Sequence, residues 1–241
     1  MTSTLVHAIQ PIDTAIGRFY QTPIGALPAV NTILSATEPE VDRNRLQHWQ
    51  AKQVHQLGQE AAEASAIAAR ERGTQVHALI EAFLRSGTQP NESALTPEIL
   101  LYWKSIRCWL RQVGNSASVQ HATYSGSVDA IELPVYHAAL GYAGTIDWVG
   151  EWEVGDLWIV DFKTSQSPKR LSWLQRYRLQ IAAYRLAFQS LFEVELTKAV
   201  IAIAIPHQPA QIFELTPEQL VADEAEWLQR LTQFQSLTHP A

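Results

Sequence analysis

The apolar positions in the first half of the chain recur at helical spacing. From Glu60 to Arg85 the sequence is rich in alanine and lacks proline, and Val76, Ile80 and Phe83 fall on one face of a helix. This pattern predicts one long helix, with Gly73 as its weakest point because glycine lowers helix stability.

Weaker signals surround that helix. Residues 1–58 contain several loop-forming strings, with helices predicted near 31–35 and from Arg43 to Leu57. After the long helix, TPEILLYWKSIRCWLRQV opens with Thr96 as an N-cap candidate and proline at the first helical position, and it continues with a broad apolar stripe. We expect this helix to pack on the long one.

The second half alternates apolar and polar residues over short stretches. Three of them, SVDAIELPVYHA, GYAGTIDWVGEW and DLWIVDFKTS, are rich in β-branched and aromatic residues, which is typical of an antiparallel meander. A helix over 171–192, the strands KAVIAIAI and QIFEL, and a helix over 217–235 follow. This order predicts an α/β fold, with a mixed β-sheet flanked by helices and a helical N-terminal extension. We expect one domain over 1–241, mainly helical in 1–115 and with its sheet in 116–241.

Composition limits the class of protein. With 46% hydrophobic and 17% charged residues, the 241-residue chain is expected to fold around a sizeable core. Its single cysteine, Cys108, excludes an internal disulfide framework and a four-cysteine cluster, and its apolar surroundings predict a buried, inert thiol. The first residues lack the features of a signal or transit peptide, and no apolar run reaches membrane length. We therefore expect a soluble, cytoplasmic protein without a membrane partner.

The net charge of −6 argues against a protein that coats nucleic acid with its whole surface. From Phe162 to Phe192, however, there is no acidic residue, whereas six basic residues occur there: Lys163, Lys169, Arg170, Arg176, Arg178 and Arg185. Such a segment can attract phosphate locally. A solvated basic helix face is the alternative interpretation.

Two apolar stretches contain charges that a strand interior rarely holds, namely Asp147 in the first, and Asp161 and Lys163 in the second. The residues Glu153 to Gly155 suit a three-residue hairpin loop with Gly155 in the left-handed conformation. This loop would place Asp147 opposite Asp161 on one sheet face, with Lys163 beside them. Two carboxylates this close repel each other unless a cation or a proton lies between them, and Mg²⁺ would relieve that repulsion. A buried Asp–Lys ion pair with the second aspartate solvated is the alternative.

The strings GTID, VDFKTS and QIAAY resemble the motifs of the PD-(D/E)XK nuclease superfamily, in particular its RecB-type exonuclease branch with a Gln-x-x-x-Tyr helix. The strings LPAVNTILSAT, LQHW, RGTQVHALIEAFL and IELPVYHAALGYAGTID resemble, in order and spacing, the mitochondrial genome maintenance exonuclease group and its bacterial and phage relatives. The resemblance covers most of residues 20–190. It implies a restriction-endonuclease-like fold and Mg²⁺ or Mn²⁺ as cofactor. An iron–sulfur cluster, which four cysteines hold in many RecB-type nucleases, is not expected here.

The resemblance assigns roles to residues of the predicted meander. Asp147 and Asp161 match the metal-binding carboxylates, and the main-chain carbonyl of Phe162 matches a further ligand. Lys163 matches the catalytic lysine. Glu132 matches an additional acidic position, as a ligand or a water-orienting group, and an edge-strand carboxylate is the alternative for it.

His77 on the long helix matches a histidine that supplies a metal ligand in RecB-type sites. Spacing alone would make it a core residue, because Val76, Ile80 and Phe83 are its neighbours on the helix. The ligand role therefore depends on the resemblance.

Seven residues are expected to contact nucleic acid. Gln180 and Tyr184 lie four residues apart on one helix face, and they match the Gln-x-x-x-Tyr motif, although such a pair by itself is ordinary helix surface. The loop SQSPKR resembles the basic loop that meets phosphate in the family. The full set is Thr164, Lys169, Arg170, Arg176, Arg178, Gln180 and Tyr184.

These observations predict a metal-dependent DNA exonuclease that acts at free ends of single-stranded DNA, in DNA repair, recombination or DNA maintenance. Its expected partners are single-stranded DNA and a helicase or other replication and repair proteins. One alternative is a catalytically silent nucleic-acid-binding partner of a helicase, which an intact Asp161 and Lys163 disfavour. Another is a structure-specific endonuclease, which generally lacks the Gln-x-x-x-Tyr helix.

Overall fold

The computed structural model describes residues 9–114, 123–124, 128–129, 131–153 and 156–238. It begins with a small antiparallel sheet of β1 (Gln10–Thr14), β2 (Gly17–Thr22) and β3 (Gly25–Pro28). The prediction of loops for this stretch is therefore wrong. These strands are four to six residues long and β1 is exposed throughout, so they lack the apolar alternation that identifies a strand in sequence.

The helices of the first half are confirmed. They are α1 (Val30–Ala36), α2 (Glu40–Leu57), α3 (Gln59–Ser86) and α4 (Pro97–Gly114), with a 3₁₀ turn at Glu92–Ala94. Thr96 caps α4 as predicted, because its Oγ1 accepts the Ile99 N–H at 3.3 Å. Gly58, at φ 84°, is the only residue between α2 and α3.

The chain from residue 40 to residue 71 forms what we call the helical arm, which is α2 with the first half of α3. None of its side chains is buried. The buried residues of α3 begin at Arg72 and continue through Val76 and Ile80 to Leu84. The second half of α3 is thus anchored to the body of the protein, whereas the arm stands outside the core.

The second half builds a five-stranded mixed sheet in the order β10-β9-β8-β7-β6. Its neighbouring strands are antiparallel except for β8 and β9, which are parallel and joined through α5. The elements are β6 (Ile131–His137), β7 (Tyr142–Glu153), β8 (Asp156–Thr164), a 3₁₀ turn (Leu171–Trp173), α5 (Gln175–Phe192), β9 (Lys198–Ala204), β10 (Gln211–Leu215) and α6 (Pro217–Thr238). Two-residue strands, β4 (Thr123–Tyr124) and β5 (Val128–Asp129), precede them.

Different helices cover the two faces of the central sheet. On one face α1, α5 and α6 pack over Leu133, Ile146 and Ile159. On the other face α3 and α4 pack over Trp148, Val160 and other large side chains. The result is the predicted mixed sheet with helices on both faces.

The predicted register of the β7–β8 hairpin is confirmed, although the loop that was expected to set it is not the one present. Trp148 pairs with Val160, and the same register continues to Glu151 and Leu157. It shifts by one at Glu153, which pairs with Asp156, so a bulge restores the register that a three-residue loop would have given. Gly155, which was predicted to be left-handed, lies outside the described residues.

Two further observations bear on the sequence predictions. The thiol of Cys108 is exposed, so the prediction of a buried cysteine is wrong, because Cys108 lies on the outer side of α4. Among the described residues, no helix combines the length and the apolar character that crossing a membrane would require.

Candidate active site

The carboxylates of the site lie where the pairing of the central sheet is interrupted. β6 pairs with β7 through Ile131 and Trp148, and again through Leu133 and Ile146, and it skips Glu132 and Asp147 between them. Glu132 has φ 50°, a left-handed conformation that few residues other than glycine adopt. Ile131 and Leu133 consequently join the cores on opposite faces of the sheet.

The main-chain pairing is also interrupted on the other edge of β7, where a side chain takes its place. The β7–β8 pairing ends at Trp148 and Val160, one step before the aspartates. Asp147 Oδ2 instead accepts the main-chain N–H of Phe162 at 2.7 Å. This bond fixes the Asp147 carboxylate beside β8, close to Asp161, the residue that was predicted to lie opposite it.

His77 of α3 completes a group of three ligand side chains. Its Nδ1 lies 3.8 Å from Asp147 Oδ2 and 3.9 Å from Glu132 Oε1, and one ligand atom from each residue falls within 4.8 Å of the others. His77 Nε2 lies 2.8 Å from the main-chain oxygen of Phe162, a bond in which the ring nitrogen donates. A ring that donates Nε2–H to a carbonyl keeps Nδ1 free to act as a ligand, an arrangement common for histidines that bind metals.

The electrostatics of this group favour positive charge. Burial lowers the pKa of His77, but the carboxylates of Glu132 and Asp147 raise it by more, so the pKa lies above its usual value. At 3.9 Å the contact with Glu132 is longer than a hydrogen bond, so we attribute it to charge attraction. The same field that favours a proton on His77 would favour a divalent cation between the three side chains.

Asp161 and Lys163 form a second, more buried pair next to this group. Lys163 Nζ donates to Asp161 Oδ1 at 2.5 Å, and Asp161 is 3% exposed. The pKa of the Asp161 carboxyl is raised to about 6, because burial and the charge of Asp147 raise it by more than the Lys163 ammonium lowers it. Burial lowers the pKa of Lys163, but Asp161 and Asp147 outweigh burial and hold its pKa above the usual value.

The residues present fit a hard divalent cation. Within the described part of the chain, Asp161 Oδ2 is buried and has no hydrogen-bond partner, so it is available as an additional oxygen ligand. Carboxylates and an imidazole form a donor set that Mg²⁺ or Mn²⁺ accepts. The carbonyl of Phe162, predicted as a ligand, accepts the bond from His77 and retains its second lone pair.

Gln180 and Tyr184 of α5 lie together beneath this site. Gln180 Nε2 donates to the Tyr184 hydroxyl at 3.0 Å, and both side chains are buried. Tyr184 packs on β7 at Gly144, where an added Cβ would lie 2.3 Å from Tyr184 Cε1. The charges of Asp161 and Asp147 contribute to the raised pKa of the Tyr184 phenol, behind burial as the main cause.

The predicted phosphate-binding loop is held by a side chain from another strand. Gln211 of β10 accepts the Lys169 main-chain N–H at 2.7 Å and donates to the Lys169 main-chain oxygen at 3.1 Å. The Arg170 guanidinium lies 5.5 Å from the ring centroid of Trp173. Thr164 ends β8, and its hydroxyl faces Gly73 of α3.

Two of the predicted nucleic-acid contacts have other partners. Arg178 donates both to Asp223 Oδ2 at 2.9 Å and to Asp223 Oδ1 at 2.6 Å, which ties α5 to α6. Arg176 donates to Glu38 Oε2 at 2.7 Å and to Ser35 Oγ at 2.8 Å. These bonds explain both arginines as links between helices, so the geometry gives no separate support for phosphate contacts by either of them.

Three residues of this region were not predicted from the sequence, namely two tyrosines and one glutamine. Tyr20 of β2 is bonded to Thr145 of β7 at 3.0 Å, and it was missed with its strand. Gln211 has no sequence signal, because its role depends on a loop 42 residues away. Tyr177 lies under the Lys163 ammonium at 5.0 Å, and only its position between the two basic residues Arg176 and Arg178 could have indicated it.

Comparisons with known proteins bear on the family of this chain. The chain is 30% identical over 216 residues to mitochondrial genome maintenance exonuclease 1 of Mus musculus, which covers 87% of this chain and 59% of the mouse protein. It is 26% identical to the protein of the same name from Xenopus tropicalis, with 87% and 58% covered, and 27% identical to that of Homo sapiens, with 86% and 58% covered. The chain thus spans less than two thirds of the length of these relatives. The model of the PD-(D/E)XK nuclease superfamily matches residues 34–238, and the chain therefore belongs to that superfamily.

Proposed function

We propose that this chain is a metal-dependent exonuclease that hydrolyses phosphodiester bonds of single-stranded DNA from a free end, in DNA repair, recombination or maintenance. The observation that supports this proposal is the group of His77, Glu132 and Asp147 ligand atoms within 4.8 Å, beside the buried Asp161–Lys163 pair. The exonuclease names of the similar proteins support the type of reaction.

The chain's own residues would hold and orient the reacting groups. Mg²⁺ or Mn²⁺ at this site would neutralise phosphate charge and activate water. Asp161 fixes the Lys163 ammonium, which can then neutralise charge that develops on the attacked phosphate. The bond from His77 to the Phe162 carbonyl, together with the bond from the Phe162 N–H to Asp147, holds the ligands in place before substrate binds.

Two cavities beside the site support a path for a single strand. The first, of about 630 Å³, is lined by Arg43 and Arg45 of the arm and by Trp173, and we call it the Trp173 cavity. The second, of about 830 Å³, is lined by Arg70 of the arm and by Tyr184, and we call it the Tyr184 cavity. Both cavities include Ser35 in their lining, so both border α1. A strand that passes from one to the other beneath the arm would need a free end.

The arm itself has the surface expected of a nucleic-acid contact rather than of a core element. Apolar side chains on it are exposed, including Trp49, Leu46 and Ile67. Exposed aromatic rings can stack on bases of any sequence, and neighbouring arginines can meet the phosphates.

The competing functions make different use of the same residues. A catalytically silent binding protein would have no need to keep the Asp161–Lys163 pair buried, since the desolvation cost of a buried ion pair can exceed the attraction between its charges. An endonuclease would use the same metal site but would need an opening wide enough for an internal phosphodiester.

The deciding experiment uses end-labelled linear single-stranded DNA, a covalently closed single-stranded circle of the same sequence, and the corresponding duplex. We expect the linear strand to be degraded with Mg²⁺ or Mn²⁺, the circle and the duplex to resist, and chelator to stop the reaction. Lys163→Ala is the control for contaminating nuclease and should bind the strand without cleaving it. Efficient cutting of the circle would assign the protein to the endonucleases and leave the metal site unchanged.

A further inference from the structure

The Trp173 cavity has a chemical character that the proposed reaction alone does not require. It lies between the start of α2, the 3₁₀ turn Leu171–Trp173 and the first turn of α5. Four arginines line it, against two acidic residues. The arginines are Arg43, Arg45, Arg176 and Arg230, and the acids are Glu38 and Asp42. Such a lining suits an anionic ligand that also offers flat apolar surface.

Tyr177 connects this cavity to the reaction site. It is one of the lining residues of the cavity, and the Lys163 ammonium lies 5.0 Å from its ring centroid. Lys163 in turn is bonded to Asp161. A phosphodiester placed at Lys163 for cleavage would therefore have a neighbouring nucleotide at the mouth of the cavity.

Trp173 is the second aromatic ring of the cavity, four residues before Tyr177. Its side chain is 59% exposed, although tryptophan is usually largely buried. The Arg170 guanidinium lies over the ring at 5.5 Å from its centroid. An exposed indole that is flanked by a cation and lines a basic cavity is the kind of platform on which nucleobases stack.

We propose that Trp173 and Tyr177 form a base-stacking subsite for a nucleotide next to the phosphodiester that is cleaved, with the net positive charge of the cavity lining attracting its phosphate. This proposal rests on the proposed function, because it takes single-stranded DNA as the ligand. A protein segment is a less suitable occupant, since Tyr177 of the lining lies against the Lys163 ammonium, at which the proposed reaction places a phosphodiester.

Binding should be measured in the presence of chelator, by fluorescence anisotropy with short linear single strands. Trp173→Ala should weaken the affinity by about tenfold or more, whereas Trp173→Phe should retain most of it because a phenyl ring still stacks. Val221→Ala on α6, exposed to a similar degree and outside the lining of the cavity, is the matched control and should bind like the wild type. Thermal melts should show that all three variants fold.

A second measurement pairs the protein change with a change in the strand. A single abasic site is moved along the strand one position at a time. In the wild type, one position should weaken binding most, and at that position Trp173→Ala should cause no further loss. Equal binding by Trp173→Ala and wild type, or additive losses at every abasic position, would overturn the subsite.

The two proposals fail in different ways. A protein that shows the coupling between Trp173 and one base, but never cleaves with Mg²⁺ or Mn²⁺, would retain the subsite and lose the exonuclease function. A protein that cleaves linear strands but shows no such coupling would retain the exonuclease function and lose the subsite.

Discussion

Tyr184 of α5 occupies the space that a side chain at Gly144 of β7 would need. A Cβ built at Gly144 would lie 2.3 Å from Tyr184 Cε1 and 3.1 Å from the Tyr184 hydroxyl oxygen. The glycine of the GTID string and the tyrosine of the QIAAY string are therefore two halves of one packing contact. That contact brings α5 against the strand that carries Asp147.

Gly144→Ala is expected to displace Tyr184 and with it the Gln180–Tyr184 pair below the site. Overpacking of this kind costs about 1–3 kcal/mol. We expect a lower free energy of unfolding in chemical denaturation and a lower kcat for linear single-stranded DNA.

Gly73→Ala is the matched control for that change. A Cβ there would make an ordinary contact of 3.8 Å with Thr164 Oγ1, and Gly73 lies inside α3. This variant should gain roughly 0.5–1 kcal/mol of stability from the better helix former. If both glycine variants have the same stability and activity, the close packing of Tyr184 is not the reason why position 144 requires glycine.

His77→Ala should raise the concentration of Mg²⁺ needed for half-maximal cleavage, by about tenfold or more. The imidazole is one of three candidate ligand groups, and it also anchors the Phe162 carbonyl at 2.8 Å. His55→Ala, at the exposed end of α2, is the control and should leave the metal titration unchanged. An identical titration for His77→Ala and wild type would make His77 a structural residue.

Gln211→Ala should loosen the loop that carries Lys169 and Arg170, because it removes both bonds from Gln211 to the Lys169 main chain. If this loop meets phosphate, the logarithmic dependence of single-strand affinity on salt should flatten by about 0.7 for each lost contact. Gln211→Glu keeps the acceptor but loses the donor, so an intermediate effect is expected. Gln208→Ala, in an exposed turn, serves as the control. An unaltered salt slope in both Gln211 variants would place the phosphate path elsewhere.

Arg178→Ala should act on stability rather than on DNA binding. It leaves Asp223, which is 2% exposed, without its two bonds, at an expected cost of about 3 kcal/mol in the free energy of unfolding. The double variant Arg178→Met, Asp223→Leu should recover part of that loss, since an apolar pair avoids the uncompensated charge. A flattened salt dependence of DNA binding for Arg178→Ala would instead support the predicted phosphate contact.

The parts of the fold with strong periodicity could be predicted from the sequence. The long helix α3, the capped helix α4 and the β6–β8 meander each bury one apolar stripe, and such stripes are visible in the chain. The small sheet β1–β3 could not be predicted, because its strands are short and β1 is exposed throughout. The exposure of Cys108 was missed for a similar reason, since an apolar string does not show which side of a helix faces solvent.

The site was predictable in its residue types and less so in its geometry. The register that brings Asp147 to the level of Asp161 followed from counting, although a bulge rather than the expected loop sets it. The left-handed conformation of Glu132 and the bond from the Phe162 N–H to Asp147 could not be predicted. Both depend on an interruption of the main-chain pairing between neighbouring strands at the level of Asp147. No local sequence pattern specifies such an interruption.

No side chain of the helical arm, residues 40–71, is buried, whereas α3 is anchored in the core from Arg72 onward. Amide hydrogens in the arm should therefore exchange through local opening, at a small fraction of the free energy that protects the central sheet. We therefore expect the arm and the central sheet to open as two units of unequal stability. If bound single-stranded DNA orders the arm, amide hydrogens in residues 40–71 should exchange more slowly, with little change in the exchange of β7 and β8.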